Sequence, residues 1–209
     1  MKAPSTLHGG FDRWAATYDR SPLQGAFFDR VHGALLRTLR PQLRDVEAPR
    51  ILDVGCGTGR LLSRLRAEMP RAALSGMDVA PGMIEVARGK AELDGTRFEV
   101  ASAAAPPFDE ASFDAVLSTM SFHHWDDQRG GLRGVARVLR PGGVLVMADF
   151  VATGLVGAVA RRVGSSHGAG FRDDRELVAM LASAGLAPVE LRRLGPLFSP
   201  IGVLVARRT

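Results

Sequence analysis

The sequence predicts an α/β fold, a parallel β-sheet with helices packed on both faces. Three observations carry this. Short apolar runs alternate with amphipathic helical stretches from about residue 50 onward. The first run, Ile51-Leu52-Asp53-Val54, has the apolar character on both faces that a strand covered on both sides requires. It passes directly into Gly55-Cys56-Gly57-Thr58-Gly59 and then into the helical Arg60-Leu61-Leu62, a strand–turn–helix unit.

The bulk properties bound the rest. A chain of 209 residues suits one domain of ordinary size. Hydrophobic residues make up 46% of it, enough to bury a full core. No apolar run approaches the about eighteen residues of a membrane span, and the N-terminus lacks the apolar stretch of a secretory signal. The single cysteine, Cys56, has no internal disulfide partner, which fits a reducing compartment, so a cytoplasmic location is expected. The net charge is +5, carried almost wholly by arginine, with lysine only at Lys2 and Lys90. The arginines are scattered rather than gathered on one stripe, so no nucleic-acid surface is expected.

Taken in order, Phe11, Trp14 and Tyr18 share one face at helical spacing. A second helical pattern covers Leu23 to Leu39, with Phe27, Val31, Leu35 and Leu39 on one stripe and Pro41 as its stop. Residues 1–40 therefore read as an N-terminal helical lid that can fold over the strand ends of the domain at 41–209. After the first strand, Thr58 is placed to cap a helix over 60–68 that ends before Pro70. A strand follows at Ala73–Asp78, and a helix runs from Pro81 to about Leu93. Further strands are expected at Arg97–Val100 and Phe113–Ser118, separated by a loop with Pro106-Pro107. A helix over 127–139 leads to Arg140-Pro141-Gly142-Gly143, which reads as a turn, and then to a strand at Val144–Asp149. Residues 151–172, with five glycines, form the least regular stretch. Asp173 and Glu176 have the spacing of a capping box for a helix over 174–184 that Gly185 closes. Two strands, about 187–194 and 201–207, finish the chain.

The glycine turn is the first functional signal. Glycines without a Cβ let a ligand approach the main chain, and a helix N-terminus favours an anionic group. The spacing is G-x-G-x-G, and Arg60 stands where the third glycine of a dinucleotide fingerprint would be. Asp78 ends the second strand, where an acidic residue accepts both hydroxyls of a ribose. At the end of the fourth strand His123-His124-Trp125 brings two side chains of a type that changes charge near neutrality. No further Cys, His or carboxylate set has metal-ligand spacing.

The string Asp53-Val54-Gly55-Cys56-Gly57-Thr58-Gly59 resembles motif I of the class I S-adenosylmethionine-dependent methyltransferases, D-x-G-x-G-x-G. Phe11-Asp12-Arg13-Trp14-Ala15-Ala16-Thr17-Tyr18-Asp19 is similar to the F-D-x-x-A-x-x-Y-D opening of the small-molecule type found in ubiquinone and menaquinone biosynthesis. The resemblance implies a three-layer, Rossmann-like sheet of seven strands, mostly parallel with an antiparallel last strand. It implies S-adenosylmethionine as cofactor, S-adenosylhomocysteine as product and a small-molecule acceptor. It places Asp53, Gly55 and Gly57 at the cofactor's amino-acid end, Asp78 at its ribose and Met83 at its adenine, with Val79 as a further cofactor-binding residue. Ser102 and Ala103 occupy the corner where the family has an acidic adenine contact, so the serine is a departure. Tyr18 is implied to reach the cofactor, and the main chain at Ser118-Thr119 to accept from its ammonium. His123, His124 and His167 are candidates to take the acceptor's proton, the first two at the catalytic edge. A homodimer is compatible with the sequence.

Two other readings stand beside this one. An NAD(P)-dependent oxidoreductase would use the same strand–turn–helix unit, but Arg60 and the lack of a Tyr-x-x-x-Lys pair count against it. A non-catalytic module that keeps the fold and only binds is supported by Ser102.

Overall fold

The computed structural model of the protein describes residues 22–152, 170–194 and 200–209. In chain order the elements are α1 (Pro22–Gln42), β1 (Arg50–Val54), α2 (Arg60–Glu68), β2 (Ala73–Asp78), α3 (Pro81–Arg88), β3 (Arg97–Val100), β4 (Phe113–Thr119), α4 (Gln128–Val138), β5 (Leu139–Phe150), α5 (Asp174–Ser183), β6 (Leu186–Arg193) and β7 (Ile201–Arg208). The seven strands make one sheet in the order β3-β2-β1-β4-β5-β7-β6. The pairs among β1 to β5 are parallel. β7 runs antiparallel to both of its neighbours, as the resemblance implied. Strand order reverses between β1 and β4, and the crevice outside the carboxyl ends of those strands is where such a sheet takes its ligand.

The period of two along each strand divides the core into two halves. Ile51, Ala115, Leu117, Val144, Val146, Val203 and Val205 face one side, against α1 and α2. Leu52, Val54, Val116, Leu145, Met147, Leu204 and Ala206 face the other, against α4 and α5. Because both faces are covered, the central strands read as continuous apolar runs rather than as alternating ones. α1 belongs to this core, for Val31, Leu35, Leu36 and Leu39 are buried in it.

The local chemistry departs from expectation at five places. Phe27, expected on the buried stripe, is 39% exposed and sets its ring edge-on to Phe28. Pro41 does not stop α1, which runs one residue beyond it; a proline in the last turn gives up one hydrogen bond only. Thr58 does not cap α2; Gly59, left-handed at φ 78°, holds the N-cap position one residue later. The expected helix over 81–93 splits, for α3 ends at Arg88 and a separate 3-10 turn covers Ala91–Leu93. Arg140 to Gly143 lie within β5, where a shift of register against β4 replaces the expected turn. The capping box of α5 forms, with Asp173 accepting from the Glu176 N–H at 2.9 Å and Glu176 accepting from the Asp173 N–H at 3.1 Å. Tyr18 and the first part of the expected lid lie outside the described residues, as does His167. Among the described residues no helix is long and apolar enough to cross a membrane.

Candidate active site

The crevice at the ends of β1, β2 and β4 is a real cleft, floored by the glycine turn. The turn is pinned to β2, because the Gly55 and Cys56 N–H groups both donate to the Met77 carbonyl, at 2.8 and 3.0 Å. Gly55 has φ 75°, and a Cβ on it would collide with the Ser121 hydroxyl. That close approach is the point of the glycine. Ser121 Oγ donates to the Val54 carbonyl at 3.0 Å, accepts from Trp125 Nε1 at 3.2 Å and shares a hydrogen bond with Ser118 Oγ at 2.9 Å. The loop after β4 is thereby locked onto the end of β1. Gly57 is the opposite case. It has φ 52°, and no atom lies within 4 Å of where a Cβ would stand, so its main chain faces open space.

Two carboxylates flank the turn and differ in state. Asp78 is already engaged, with Oδ2 accepting from the Gly57 N–H and Oδ1 from the Ala80 N–H, both at 2.9 Å. It holds the turn and the start of α3 in one arrangement. Asp53 is only 2% exposed, and its Oδ1 has no hydrogen-bond partner. Burial, and then the nearby Asp78 carboxylate, weaken it as an acid and push its pKa up to about 8. Two more cleft-lining residues carry buried polar atoms without partners, Thr119 at Oγ1 and Arg60 at Nη1. A ligand entering the cleft can satisfy these buried atoms.

Farther along, Val79 is 40% exposed on the cleft wall, with Met83 buried behind it. Ser102 and Ala103 line the same end, and Ser102 Oγ accepts from the Ala104 N–H at 3.3 Å. The Ala101 N–H donates to the Asp78 carbonyl at 2.9 Å, which sets this corner against β2.

The two histidines occupy different places. His124 lines the cleft and His123 is buried behind it, their ring centroids 3.9 Å apart. His123 Nδ1 meets Asp149 Oδ1 at 2.6 Å, with both side chains out of water. Phe171 stacks on His123 with centroids 5.3 Å apart, and the Gly170 N–H donates to the His123 carbonyl at 2.7 Å. Gln128 ties the same region together. Its Nε2 donates to the carbonyls of Phe122 and Gly170, and its Oε1 accepts from Arg172 Nε at 2.7 Å.

Of the residues singled out from sequence, the cleft brings together Asp53, Gly55, Gly57, Asp78, Val79, Met83, Ser102, Ala103 and His124. His123 and Ser118 stand behind its wall, both buried. Sequence reasoning did not find Phe28 and His32 of α1, which line the cleft, or Asp149 as the partner of His123. Phe28 and His32 are four apart on one helix face, a signal that was available. Asp149, a charge closing an apolar strand, was visible too, but its pairing depends on the alignment of β4 and β5.

Comparison with known proteins places this geometry. A family model described as a methyltransferase domain matches residues 52–147. The chain is 41% identical over 116 residues to a demethylmenaquinone methyltransferase of Deinococcus radiodurans, covering 54% of this chain and 48% of that protein. It is 36% identical over 138 residues to the O-methyltransferase cnsE of Penicillium expansum, covering 64% of this chain and 50% of the relative. The chain thus spans about half the length of these curated relatives. Among solved structures, one chain of the Haloferax volcanii complex that contains the Trm112 methyltransferase activator superposes with a TM-score of 0.75 at 22% identity, covering 95% of this chain and 97% of that one. A geranyl diphosphate C-methyltransferase from Streptomyces coelicolor, in complex with S-adenosyl-L-homocysteine, gives 0.65 at 16% identity over 78% of this chain and 74% of that one. At these identities the structural likeness speaks for the fold.

Proposed function

We propose that this chain, which belongs through residues 52–147 to the methyltransferase-domain family of class I S-adenosylmethionine-dependent methyltransferases, transfers a methyl group from that cofactor to a small-molecule acceptor. The observation that carries the reading is Asp53. A carboxylate sunk at the end of β1, with one oxygen unpartnered, asks for a cation. The cofactor's ammonium is such a cation, and Thr119 Oγ1 offers a second polar contact on the same wall. The open space above Gly57 admits the amino-acid tail against the main chain. Asp78, held by two N–H groups, keeps oxygen lone pairs in place for the ribose hydroxyls. Val79 and Met83 give the adenine an apolar wall, with Ser102 and the Ala103 N–H at its polar edge. Tyr18 joins the proposal as a further cofactor contact, on the resemblance of its segment alone.

When bound, S-adenosylmethionine supplies a methyl group made electrophilic by its sulfonium sulfur. The work left to the chain is orientation and exclusion of water. Phe28, Met120 and Trp125 bring apolar side chains to the cleft for the acceptor's body. His124 is placed on the wall to take the proton that an acceptor hydroxyl or acidic carbon must lose. His123, tied by Nδ1 to Asp149, packs on His124 and fixes where it stands.

Calorimetric titration of the purified protein with S-adenosylmethionine, S-adenosylhomocysteine and NADPH tests the reading. The two sulfur compounds are expected to bind and NADPH is not. Acceptors are then screened for a mass gain of one methylene unit. Binding of NADPH alone, or of none of the three, refutes the proposal.

A further inference from the structure

We infer that Arg60 holds the carboxylate of the cofactor's amino-acid tail, so that Asp53 before the glycine turn and Arg60 after it grip the two ends of one zwitterion. The inference rests on the cofactor reading above. Arg60 is the residue that displaces the third glycine of a dinucleotide fingerprint, and nothing in the function so far uses it. It begins α2 and lines the cleft. Among the described residues of the lining, the carboxylates are Asp53, Asp78 and Asp126, and Arg60 is the one guanidinium or ammonium. An anion entering this cleft therefore has one fixed positive charge to meet.

The guanidinium is also incompletely used. Its Nη1 is out of water and makes no hydrogen bond. Its Nη2 reaches Asp29 only at 3.6 Å, and the Asp29 side chain is 66% exposed, so water competes for that contact. A donor buried without an acceptor costs free energy, and a carboxylate with two oxygens relieves it on a planar fork. Arg60 stands in the first turn of a nine-residue helix, where the main-chain dipole adds to its attraction for an anion. His32 of α1 lines the same side and does not add charge. Burial, and then Arg60 and Arg64, lower its basicity to about 4, so the imidazole stays neutral at working pH. The orphan atoms thus have opposite signs, Oδ1 of Asp53 and Nη1 of Arg60, on the two sides of one turn. An α-amino acid group has that pattern, and a pyrophosphate does not.

Three ligands and three proteins separate the outcomes by calorimetry. The ligands are S-adenosylhomocysteine, its decarboxylated analogue, which keeps the ammonium, and methylthioadenosine, which lacks the amino-acid group. The proteins are the wild type, Arg60→Met and Arg60→Lys. In the wild type, removing the carboxylate is expected to weaken binding about 10–100-fold, the range for a charge-assisted hydrogen bond. Arg60→Met is expected to lose that same factor on S-adenosylhomocysteine and to match the wild type on the other two. Arg60→Lys, which keeps the charge without the fork, is expected to fall between. Equal losses on all three ligands in Arg60→Met would mean that Arg60 only shapes the turn, and the inference is overturned. If the wild type binds neither S-adenosylhomocysteine nor methylthioadenosine, the cofactor reading fails and takes the inference with it.

Discussion

Asp53→Asn removes the chargeable group at the end of β1 while keeping the shape of the side chain, and the structure gives the size of the effect. Burial first and Asp78 second raise the pKa of Asp53 from 3.8 to about 8. Below about pH 4 the folded and unfolded chains both hold the proton, and the carboxyl is neutral to stability. As pH rises from 4 to 8 the unfolded chain ionises and the folded chain does not, so the folded state binds the extra proton and stability falls. Above 8 both are ionised and the loss is complete. A span of roughly four units at about 1.36 kcal/mol each makes that loss on the order of 5 kcal/mol, of which about 4 is present at pH 7. Asp53→Asn lacks this slope. Urea unfolding of both proteins at pH 5 and pH 8 isolates it together with its coupling to Asp78, because titrating groups that do not feel Asp53 cancel in the difference. The variant is expected to gain on the wild type by several kcal/mol between the two pH values. A difference constant to within about 1 kcal/mol refutes the argument. The same carboxyl predicts that cofactor binding at pH 7 releases about one proton in the wild type and none in Asp53→Asn, since the arriving ammonium draws Asp53 into its charged form. Titration in two buffers of different ionisation enthalpy reads this directly. A side chain that weakens the fold until its ligand arrives belongs to a binding site rather than to a scaffold.

Two further outcomes follow from the carboxylates at either end of the sheet. Asp78→Ala deletes the acceptor of the Gly57 and Ala80 N–H groups, and cofactor affinity measured by calorimetry is expected to fall by about 1–3 kcal/mol; unchanged affinity would remove Asp78 from the site. Asp114, near the amino end of β4, accepts from the Arg50 N–H at 2.7 Å and meets Arg140 Nη1 at 3.0 Å. Asp114→Ala is expected to lower stability by about 1–3 kcal/mol in urea while leaving S-adenosylhomocysteine affinity intact, and a loss of affinity without a loss of stability would contradict its placement away from the cleft.

What was legible in the chain was whatever depends on neighbours in sequence. The strand–turn–helix around Gly55, the capping box at Asp173 and the acid at the end of β2 are all local patterns, and each lies where the spacing put it. The misreadings at Pro41, Thr58 and Gly142-Gly143 are also local, but there a helix end or a strand start was decided by packing. Gly142 takes φ 73° inside β5 because Leu139 still pairs with Phe113, a partner 26 residues upstream, before the register shifts. His123 and Asp149 were each visible, yet their pairing needed β4 beside β5 with Ser118 opposite Met147. His32 and Phe28 reach the cleft only because α1 packs across the same face as α2. Contacts between elements far apart in the chain carry no signature in either element alone.

The charge of the cleft supplies what the glycine pattern cannot. Strand, turn and helix N-terminus are common to sites for dinucleotides and for S-adenosylmethionine, so the turn by itself leaves the ligand open. The lining then decides. Three carboxylates face one guanidinium across it among the described residues. A dinucleotide would bring two negative phosphates into that field and has no ammonium to offer Asp53 Oδ1. S-adenosylmethionine carries two positive charges and one negative, and in the proposed placement each meets a counterpart: the ammonium Asp53, the carboxylate Arg60, and the sulfonium a cleft whose surplus among the described residues is acidic. Replacing the third glycine of the fingerprint by Arg60 therefore does more than break a motif. In the proposed placement it sets the one positive charge among the described lining residues beside the cofactor's amino-acid carboxylate.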